Sequence, residues 1–281
     1  MICFNLLPQT EKQKEQVKEN EKIMQYVEVM TINDVEKIEL ETYLIGVVAS
    51  EMPYTFELEA LKAQSVAART YVLSRNLKVD ASTNTQVYKN EAQLKEIYDE
   101  NYETMYTKIK QAVEATKGEV LTYENEYISA LFYSCNNGYS NDCSWYFENE
   151  RPYLKCVQSK WDLAYENCKT MVEKSKQEVL SALQISSLDI VQYTHYDNGY
   201  VKTIQIGNKV FSGREVRELL NLRSSCFKFE DIGAYVRIYC EGYGHGVGMS
   251  QYGANGMAKE GFTYEEILKH YYTDVQLESI Y

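Results

Sequence analysis

"ELEALKAQSVAARTYVLSRNLK", residues 57 to 78, is the strongest helix signal in the chain. Leucine and valine recur in it at helical spacing, and the alanines between them leave room for neighbouring elements to pack closely. The preceding stretch "EKIELETYLIGVVASEM", residues 36 to 52, has the same period, and Pro53 discourages a helix in the residue before it. The sequence therefore predicts two consecutive helices, with Glu51 at or near the end of the first.

Beyond Gly118 the apolar period changes from helical to alternating. Residues 119–135 and 189–206 predict hairpins, the second turned at Asn198-Gly199, and residues 153–157 predict a further short strand. Further helices are predicted at about 91–117, at about 170–183, and after two capping boxes, which are Ser212 with Glu215 and Thr263 with Glu266. The predicted class is α+β, with mixed helices and antiparallel hairpins around a substrate groove.

Composition limits the domain organisation and the partners. The chain has 281 residues, of which 44% are hydrophobic and 25% charged, so it can bury a sizeable core. Residues 1–35 read as an apolar stub and a polar stalk, and residues 36–281 as the folded domain. The net charge of −12 argues against a nucleic-acid partner, because nucleic-acid binders need a basic stripe.

Seven cysteines are many for a cytosolic protein of this size. Six of them form three pairs that are close in sequence: Cys135 with Cys143, Cys156 with Cys168, and Cys226 with Cys240. The stretch between Cys226 and Cys240 reads as strand, turn and strand, with the turn around Gly233, which would place these two cysteines opposite each other. We therefore predict a disulfide between them, and hence an oxidising compartment.

"GYGHGVGMSQYGANGMAKEG", residues 242 to 261, surrounds His245 with glycines. Such a run is better interpreted as a tight loop approached by a ligand or another backbone than as a strand. Ser250 can cap a following helix whose first N–H groups would face the same space as His245. Two interpretations remain open: the floor of a polar pocket, or a glycine-rich connection with His245 satisfied in the core.

Glu51 is a candidate general acid because of its sequence neighbours. Most of the nearest ones are apolar, and no basic residue lies within ten positions on either side. If its carboxyl is buried it has no local partner, so its pKa rises, as a general acid requires. The alternative is an exposed glutamate at a helix end. Two interpretations also remain for Arg69 and Tyr71: they are hydrogen-bond donors that line a groove, or they belong to a helix face packed on its neighbour.

Other catalytic constellations do not fit the spacing. The glycines around Ser250 do not form the Gly-x-Ser-x-Gly turn of a serine hydrolase. The three histidines, His195, His245 and His270, are far apart and no Cys-x-x-Cys occurs, so no metal and no cofactor is expected. His195 falls in a predicted strand and His270 in the last turn of a helix, where structural roles are favoured.

Two long blocks, residues 46–75 and 242–272, closely resemble the stage II sporulation protein D family, which also includes amidase-enhancer proteins. Segments between the blocks, including Trp161-Asp162 and "FSGREVRELLNLRS", are similar to the family as well, so the resemblance covers residues 36–281. It implies a lytic transglycosylase that acts on peptidoglycan glycan strands whose stem peptides have been removed, forming 1,6-anhydro-muramyl products during engulfment in sporulation.

The resemblance also implies roles for individual residues. The glutamate of the Glu-Met-Pro block, Glu51, matches the family's catalytic residue. The glycine-rich loop would form part of the groove for the glycan. From their polarity and position, substrate contacts are expected from Arg69, Tyr71, Tyr133, Ser134, His245, Ser250, Gln251 and Tyr252.

The sequence departs from the family at two places. Some relatives carry a zinc site before the "QVY" segment, but Asn84 and Thr85 stand here where a histidine and a cysteine would be, so no zinc is expected. Cys135 and Cys143 are additions in a serine-rich stretch of the family, and they suggest a covalent tie that stiffens this loop.

By the same resemblance, the expected partners are peptidoglycan strands, an amidase like stage II sporulation protein P, and a membrane partner. A single transmembrane helix upstream of residue 1 is expected to anchor the domain outside the cytoplasmic membrane. The alternative is a non-catalytic module that binds glycan and enhances a partner amidase. A salt-bridged or exposed Glu51 would favour this module, whereas a half-buried Glu51 without a cationic partner would favour the enzyme.

Overall fold

The computed structural model of the protein describes residues 25–30, 34–82, 85–147 and 150–281. The predicted stub and most of the predicted stalk, as well as Asn84, lie outside these residues. Within the described ranges, no helix is both long enough and apolar enough to cross a bilayer.

One hydrophobic cluster is built around the helix that the opening stretch predicts. This helix packs against four others, and alanines make close approach possible along its buried length. The helices of this cluster are α1 (Leu40–Glu51), α2 (Leu58–Ser74), α3 (Glu91–Tyr98), α4 (Tyr102–Ala115), α5 (Cys143–Phe147), and two that are numbered below as α8 and α9. Helix α1 ends at Glu51, as the position of Pro53 predicts.

A three-stranded sheet covers the start of this cluster. Strand β1 (Tyr26–Met30) pairs antiparallel with β2 (Val35–Glu39) and parallel with β3 (Lys78–Asp80). Val27 and Val29 on β1 are fully buried or nearly so. Because β1 contributes to the core, the folded domain begins before residue 36, where the sequence placed its boundary.

The predicted hairpin after Gly118 is present as β4 (Glu119–Tyr123) and β5 (Glu126–Tyr127), with the C-terminal strand β14 (Gln276–Ser279) on the other side of β4. Further along, β6 (Phe132–Tyr133) pairs in parallel with β13 (Met249–Ser250). This short pairing joins residues 131–134 directly to the end of the glycine-rich loop.

The remaining strands and two helices are grouped around a second hydrophobic cluster. The elements of this part are β7 (Lys169–Ser175), α6 (Lys176–Leu183), β8 (Ile190–His195), β9 (Val201–Ile206), β10 (Lys209–Ser212), α7 (Gly213–Leu219), β11 (Phe227–Asp231) and β12 (Tyr235–Glu241). One sheet has the order β11-β12-β7 and the other the order β10-β9-β8. The chain then returns to the first cluster through α8 (Gln251–Lys259) and α9 (Tyr264–Tyr271).

The antiparallel hairpins and interspersed helices confirm the α+β class, but some predicted elements differ. The helix predicted at 170–183 is half strand, because β7 pairs with β12 and the helix begins only after the capping box of Ser175 and Glu178. The helix predicted at 91–117 is interrupted by a 3₁₀ turn at Asp99–Asn101, where Asp99 has a positive φ. Residues 153–157 form no strand.

The predicted disulfide between Cys226 and Cys240 is wrong. In the β11–β12 hairpin Cys240 lies opposite Phe227, and the N–H of Glu241 donates to the carbonyl of Cys226. Cys226 is therefore one position out of register and its side chain points to the other face of the hairpin. The disulfide joins Cys135 to Cys168 instead. Sequence proximity had paired Cys135 with Cys143 and Cys168 with Cys156, and both Cys143 and Cys156 are free thiols.

Candidate functional site

A groove of about 630 Å³ lies where the two sequence blocks meet. It gathers side chains from the end of α1, the end of α2, the segment before α3, residues 131–134 and the glycine-rich loop. Six of the predicted site residues line it: Glu51, Tyr71, Tyr133, Ser134, His245 and Gln251. The fold therefore brings together residues that are up to two hundred positions apart in the sequence.

Glu51 sits in the groove wall at the last position of α1 and is half-buried. Its Oε1 accepts a hydrogen bond of 2.7 Å from the backbone N–H of Val87. Burial raises the pKa of this carboxyl, the Val87 hydrogen bond acts in the opposite direction, and no described cation pairs with it. Glu51 therefore has the environment of a carboxyl that holds its proton longer than an exposed glutamate does.

The segment that supplies the Val87 N–H is anchored to the core by the neighbouring residue, Gln86. The side chain of Gln86 is fully buried, accepts a 3.1 Å hydrogen bond from the Tyr43 hydroxyl and donates a 3.2 Å one to the carbonyl of Ala68. Because Tyr43 and Ala68 belong to α1 and α2, the position of Val87 relative to Glu51 is set by the helix pair.

His245 lines the groove as a neutral imidazole. Its Nδ1 accepts a 3.0 Å hydrogen bond from the backbone N–H of Val247, so the ring proton is on Nε2. Burial, with a smaller contribution from Arg217, lowers the pKa of His245 to about 3. Of the two interpretations of the glycine-rich loop, the structure supports the wall of a polar pocket.

Glycine is required where this loop passes the chain at residues 131–133. Gly248 has φ +82°, and a Cβ there would overlap the carbonyl oxygen of Leu131. At Gly244 (φ +118°) a Cβ would lie 2.7 Å from the Cβ of Tyr133. The permissive backbone thus lets the loop lie directly against the segment that carries Tyr133 and Ser134.

The disulfide lies directly behind this loop. The carbonyl of Cys168 accepts a 2.6 Å hydrogen bond from the N–H of Gly242, and Cys135 exchanges two backbone hydrogen bonds with Tyr243. Both cysteines therefore hold the loop as it enters the groove. Their sulfur atoms also lie near a carboxylate oxygen of Asp162, but they are bonded to each other, which does not suit them as metal ligands.

Asp162 is a fully buried carboxylate behind the groove. It accepts hydrogen bonds from the hydroxyls of Ser250 (2.6 Å) and Ser159 (2.5 Å) and from the N–H of Asn136 (3.1 Å). Burial raises its pKa to about 6, although these hydrogen bonds act in the opposite direction. Asp162 is a structural link between two segments that line the groove.

Three predicted contact residues do not line the groove. Arg69 is fully buried in a bidentate ion pair with Glu41, at 2.6 and 3.0 Å. Ser250 is buried as the N-cap of α8 and donates to Asp162. Tyr252 packs edge-on against Phe56 and Tyr165, and its hydroxyl accepts from Asn167. The polar atoms of these three side chains are hydrogen-bonded to other parts of the protein, so their role is to support the site from outside it.

The structural roles predicted for the other two histidines agree with their positions. His195 lies in β8, and His270 lies in α9 with its Nε2 2.7 Å from the carbonyl oxygen of Gln158. Sequence reasoning missed several groove residues, notably Arg75, Val87, Phe147, Arg217 and Tyr243. Arg75, Val87 and Arg217 lie in segments that resemble the family, but nothing in those segments marks them as groove residues, so only the tertiary fold reveals this role.

Comparison with known proteins assigns the two sequence blocks and the α+β fold around them to a class of sporulation proteins. A family model described as stage II sporulation protein (SpoIID) matches residues 28–123. Stage II sporulation protein D of Bacillus subtilis (strain 168) is 43% identical over 258 residues, covering 86% of this chain and 75% of the relative. Its counterpart from Bacillus amyloliquefaciens is 43% identical over 261 residues, covering 87% and 76%. The chain belongs to the stage II sporulation protein D family.

A protein with a different name is also similar to the chain. The amidase enhancer of Bacillus subtilis (strain 168) is 30% identical over 298 residues, covering 84% of this chain but 40% of the relative.

Proposed function

We propose that the protein is a lytic transglycosylase that cleaves peptide-stripped peptidoglycan glycan strands to 1,6-anhydro-muramyl products. The observation that carries this proposal is the environment of Glu51, which is half-buried in a groove and has a raised pKa with no cationic partner among the described residues. This is the arrangement that distinguishes a general acid from an exposed or ion-paired glutamate.

In the proposed reaction Glu51 acts first as acid and then as base. Its carboxyl gives a proton to the glycosidic oxygen as the bond from that oxygen to C1 of the muramic acid breaks. The 6-hydroxyl of the same sugar then forms a bond to C1 and returns its proton to the carboxylate. The N–H of Val87, 2.7 Å from Oε1, stabilises the carboxylate between the two steps.

The charges of the groove support this use of an internal nucleophile. Glycosidases usually need a second carboxyl as nucleophile or base. Among the described residues that line the groove, Glu51 is the only acidic one. An attack by the sugar's own hydroxyl needs no second carboxylate, so one glutamate is sufficient.

We propose that this reaction serves cell-wall remodelling during engulfment, outside the cytoplasmic membrane and in a membrane-anchored protein. Similarity to an amidase enhancer supports a link to a cell-wall amidase, here one like stage II sporulation protein P, with a membrane partner. The Cys135–Cys168 disulfide supports an oxidising compartment. The same similarity favours the second candidate, a non-catalytic glycan-binding module that enhances the amidase.

Product analysis distinguishes the two candidates. The protein is incubated with amidase-stripped and with intact peptidoglycan, and anhydro-muramyl products are measured by mass spectrometry. We expect products from stripped strands, and we expect Glu51→Gln to lower their rate of formation roughly 10²- to 10⁴-fold while binding persists. The exposed Glu57, near the start of α2, provides the matched control Glu57→Gln. Binding of stripped strands without any anhydro product would favour the non-catalytic module.

A further inference from the structure

The groove differs in charge from the rest of the molecule. The chain carries a net charge of −12, yet the described groove contains two arginines, Arg75 and Arg217, against the single carboxyl of Glu51. Because burial raises the pKa of Glu51, its negative charge is also diminished in mildly acidic solution. The groove is therefore a positively charged region on an acidic protein, which favours an anionic ligand.

Arg217 is the more buried of the two arginines. It lies in α7, on the second hydrophobic cluster, and is half-buried. Its Nη1 donates a 2.5 Å hydrogen bond to the Tyr146 hydroxyl, and its Nε donates a 3.3 Å one to the carbonyl of Arg223. These two contacts orient the planar guanidinium and leave N–H groups available on the fork.

No described carboxylate neutralises Arg217. Its neighbour in the same helix, Arg214, is instead paired with Glu218 at 2.8 Å. Arg75 is exposed, and its guanidinium lies 5.1 Å from the centre of the Tyr71 ring. Next to Arg217, His245 is neutral, with Nδ1 occupied by the N–H of Val247. Arg217 is thus the fixed positive charge on its side of the groove.

The proposed substrate provides an anion of suitable shape. In an intact strand the lactyl group of muramic acid is joined to the stem peptide by an amide. Hydrolysis of that amide adds water and leaves a free lactyl carboxylate on the sugar and an amine on the peptide. A carboxylate accepts two parallel N–H bonds from a guanidinium, whereas an amide offers one neutral oxygen.

We propose that Arg217 binds the lactyl carboxylate of peptide-stripped muramic acid, and so makes the groove selective for strands that an amidase has already processed. This inference rests on the proposed substrate but does not require that the protein cleave it. Arg217 is here a binding residue that determines specificity, and Glu51 remains the reacting group.

The test measures binding in the Glu51→Gln background, where no cleavage interferes. Three ligands are compared: stripped strands, stripped strands whose lactyl carboxyls have been converted to N-methylamides, and intact strands. We expect the Glu51→Gln protein to bind stripped strands roughly 10- to 100-fold more tightly than methylamidated ones. We expect added Arg217→Gln to abolish this difference, and Arg217→Lys to retain part of it.

The control for loss of one positive charge is Arg237→Gln. Arg237 lies in β12, away from the groove, and is paired with Glu173 and Glu230 at 2.9 and 3.2 Å. Preference for the carboxylate should survive in this variant. Circular dichroism verifies that the Arg217 variants are folded. The comparison of the three ligands on the Glu51→Gln protein, which retains Arg217, needs no folding control.

Three results would overturn the inference. The first is equal binding of stripped and methylamidated strands by the Glu51→Gln protein. The second is a preference for stripped strands that persists when Arg217→Gln is added. The third is that adding Arg217→Gln weakens the binding of all three ligands equally. This third result would mean that Arg217 does not distinguish the lactyl carboxylate from the methylamide or from the carboxylates that the stem peptides of intact strands carry. A failure of the wild-type protein to form anhydro products would refute the proposed enzyme and leave the measured binding preference unaffected.

Discussion

The hydroxyl of Ser250 donates a 2.6 Å hydrogen bond to Oδ1 of Asp162, across 88 positions of sequence. Ser250 is also the N-cap of α8, where it accepts from the N–H of Gly253, and Asp162 accepts from the N–H of Asn136 as well. One buried carboxylate therefore connects the start of α8 to the segment that follows Tyr133 and Ser134. Asp162 therefore fixes the positions of these two parts of the groove wall relative to each other.

This carboxylate predicts a pH-dependent stability. Because burial raises the pKa of Asp162 to about 6 in the folded protein, the native state binds its proton more tightly than the unfolded state does. The resulting stabilisation is fully present below about pH 4 and is lost as the pH rises through 6, which amounts to about 3 kcal/mol. Urea unfolding between pH 4 and 7 measures it.

Asp162→Asn is the matched variant, since it keeps the shape and does not titrate. We expect the free energy of unfolding of this variant to fall less between pH 4 and 6 than that of the wild type, because the contribution of Asp162 is absent. Parallel pH dependences of the two proteins would contradict the assignment to Asp162.

A second prediction concerns the pH dependence of glycan cleavage. As a general acid, Glu51 must be protonated, so kcat/KM for stripped strands should be lost as the pH rises through its raised pKa. Because burial raises this pKa above its ordinary value of 4.5, the falling limb should lie above pH 4.5. Initial rates between pH 4 and 8 locate it. A falling limb at or below the ordinary value for glutamate would be incompatible with the buried carboxyl described above.

The third prediction concerns the disulfide. Peptide mapping without reduction should recover Cys135 linked to Cys168, with Cys143, Cys156, Cys226 and Cys240 as free thiols. The bridge closes a segment with a sequence separation of 33, for which loop-closure entropy gives about 3 to 4 kcal/mol. Replacing both bridged cysteines by alanine should lower the free energy of unfolding by this amount. Recovery of a Cys226–Cys240 peptide would instead restore the pairing expected from sequence.

A fourth prediction compares two glycines that share a positive φ. Gly248→Ala introduces a Cβ into the carbonyl of Leu131, whereas nothing lies within 4 Å of a Cβ at Gly207. Gly207→Ala should therefore cost about 1 kcal/mol through backbone strain alone. Gly248→Ala should cost about 3 kcal/mol, because steric overlap is added to the strain. Thermal unfolding of both variants makes the comparison, and similar losses would mean that the loop relaxes away from Leu131.

The sequence predicted features that depend on neighbouring residues. The end of α1 at Glu51, the capping boxes at Ser212 and Thr263, and the N-cap at Ser250 are all local, and all are present. Long-range facts were not accessible in this way. A one-residue error in hairpin register was enough to misplace the disulfide, because adjacent residues of a strand point to opposite faces.

The site shows the same division between local and long-range information. The apolar neighbours of Glu51 indicated a carboxyl without a cationic partner, and none of the described residues supplies one; its hydrogen bond comes from the backbone N–H of Val87. For Arg69 the sequence left two roles open, and the choice depended on Glu41, which lies 28 positions away. Val87 and Arg217 lie in segments that resemble the family, but their place in the groove was not predictable, since Val87 contributes only a backbone N–H and Arg217 reaches the groove from the second cluster.

The hydrogen bond from Val87 to Glu51 has an evolutionary consequence. The same short segment forms part of the groove wall and supplies the only described hydrogen bond to the Glu51 carboxyl. An insertion or deletion between β3 and α3 that displaced this N–H would change both the strength of the acid and the width of the cleft. Loop length in this region and acidity of the glutamate therefore cannot diverge independently among descendants of this protein, even if every side chain in the groove stays the same.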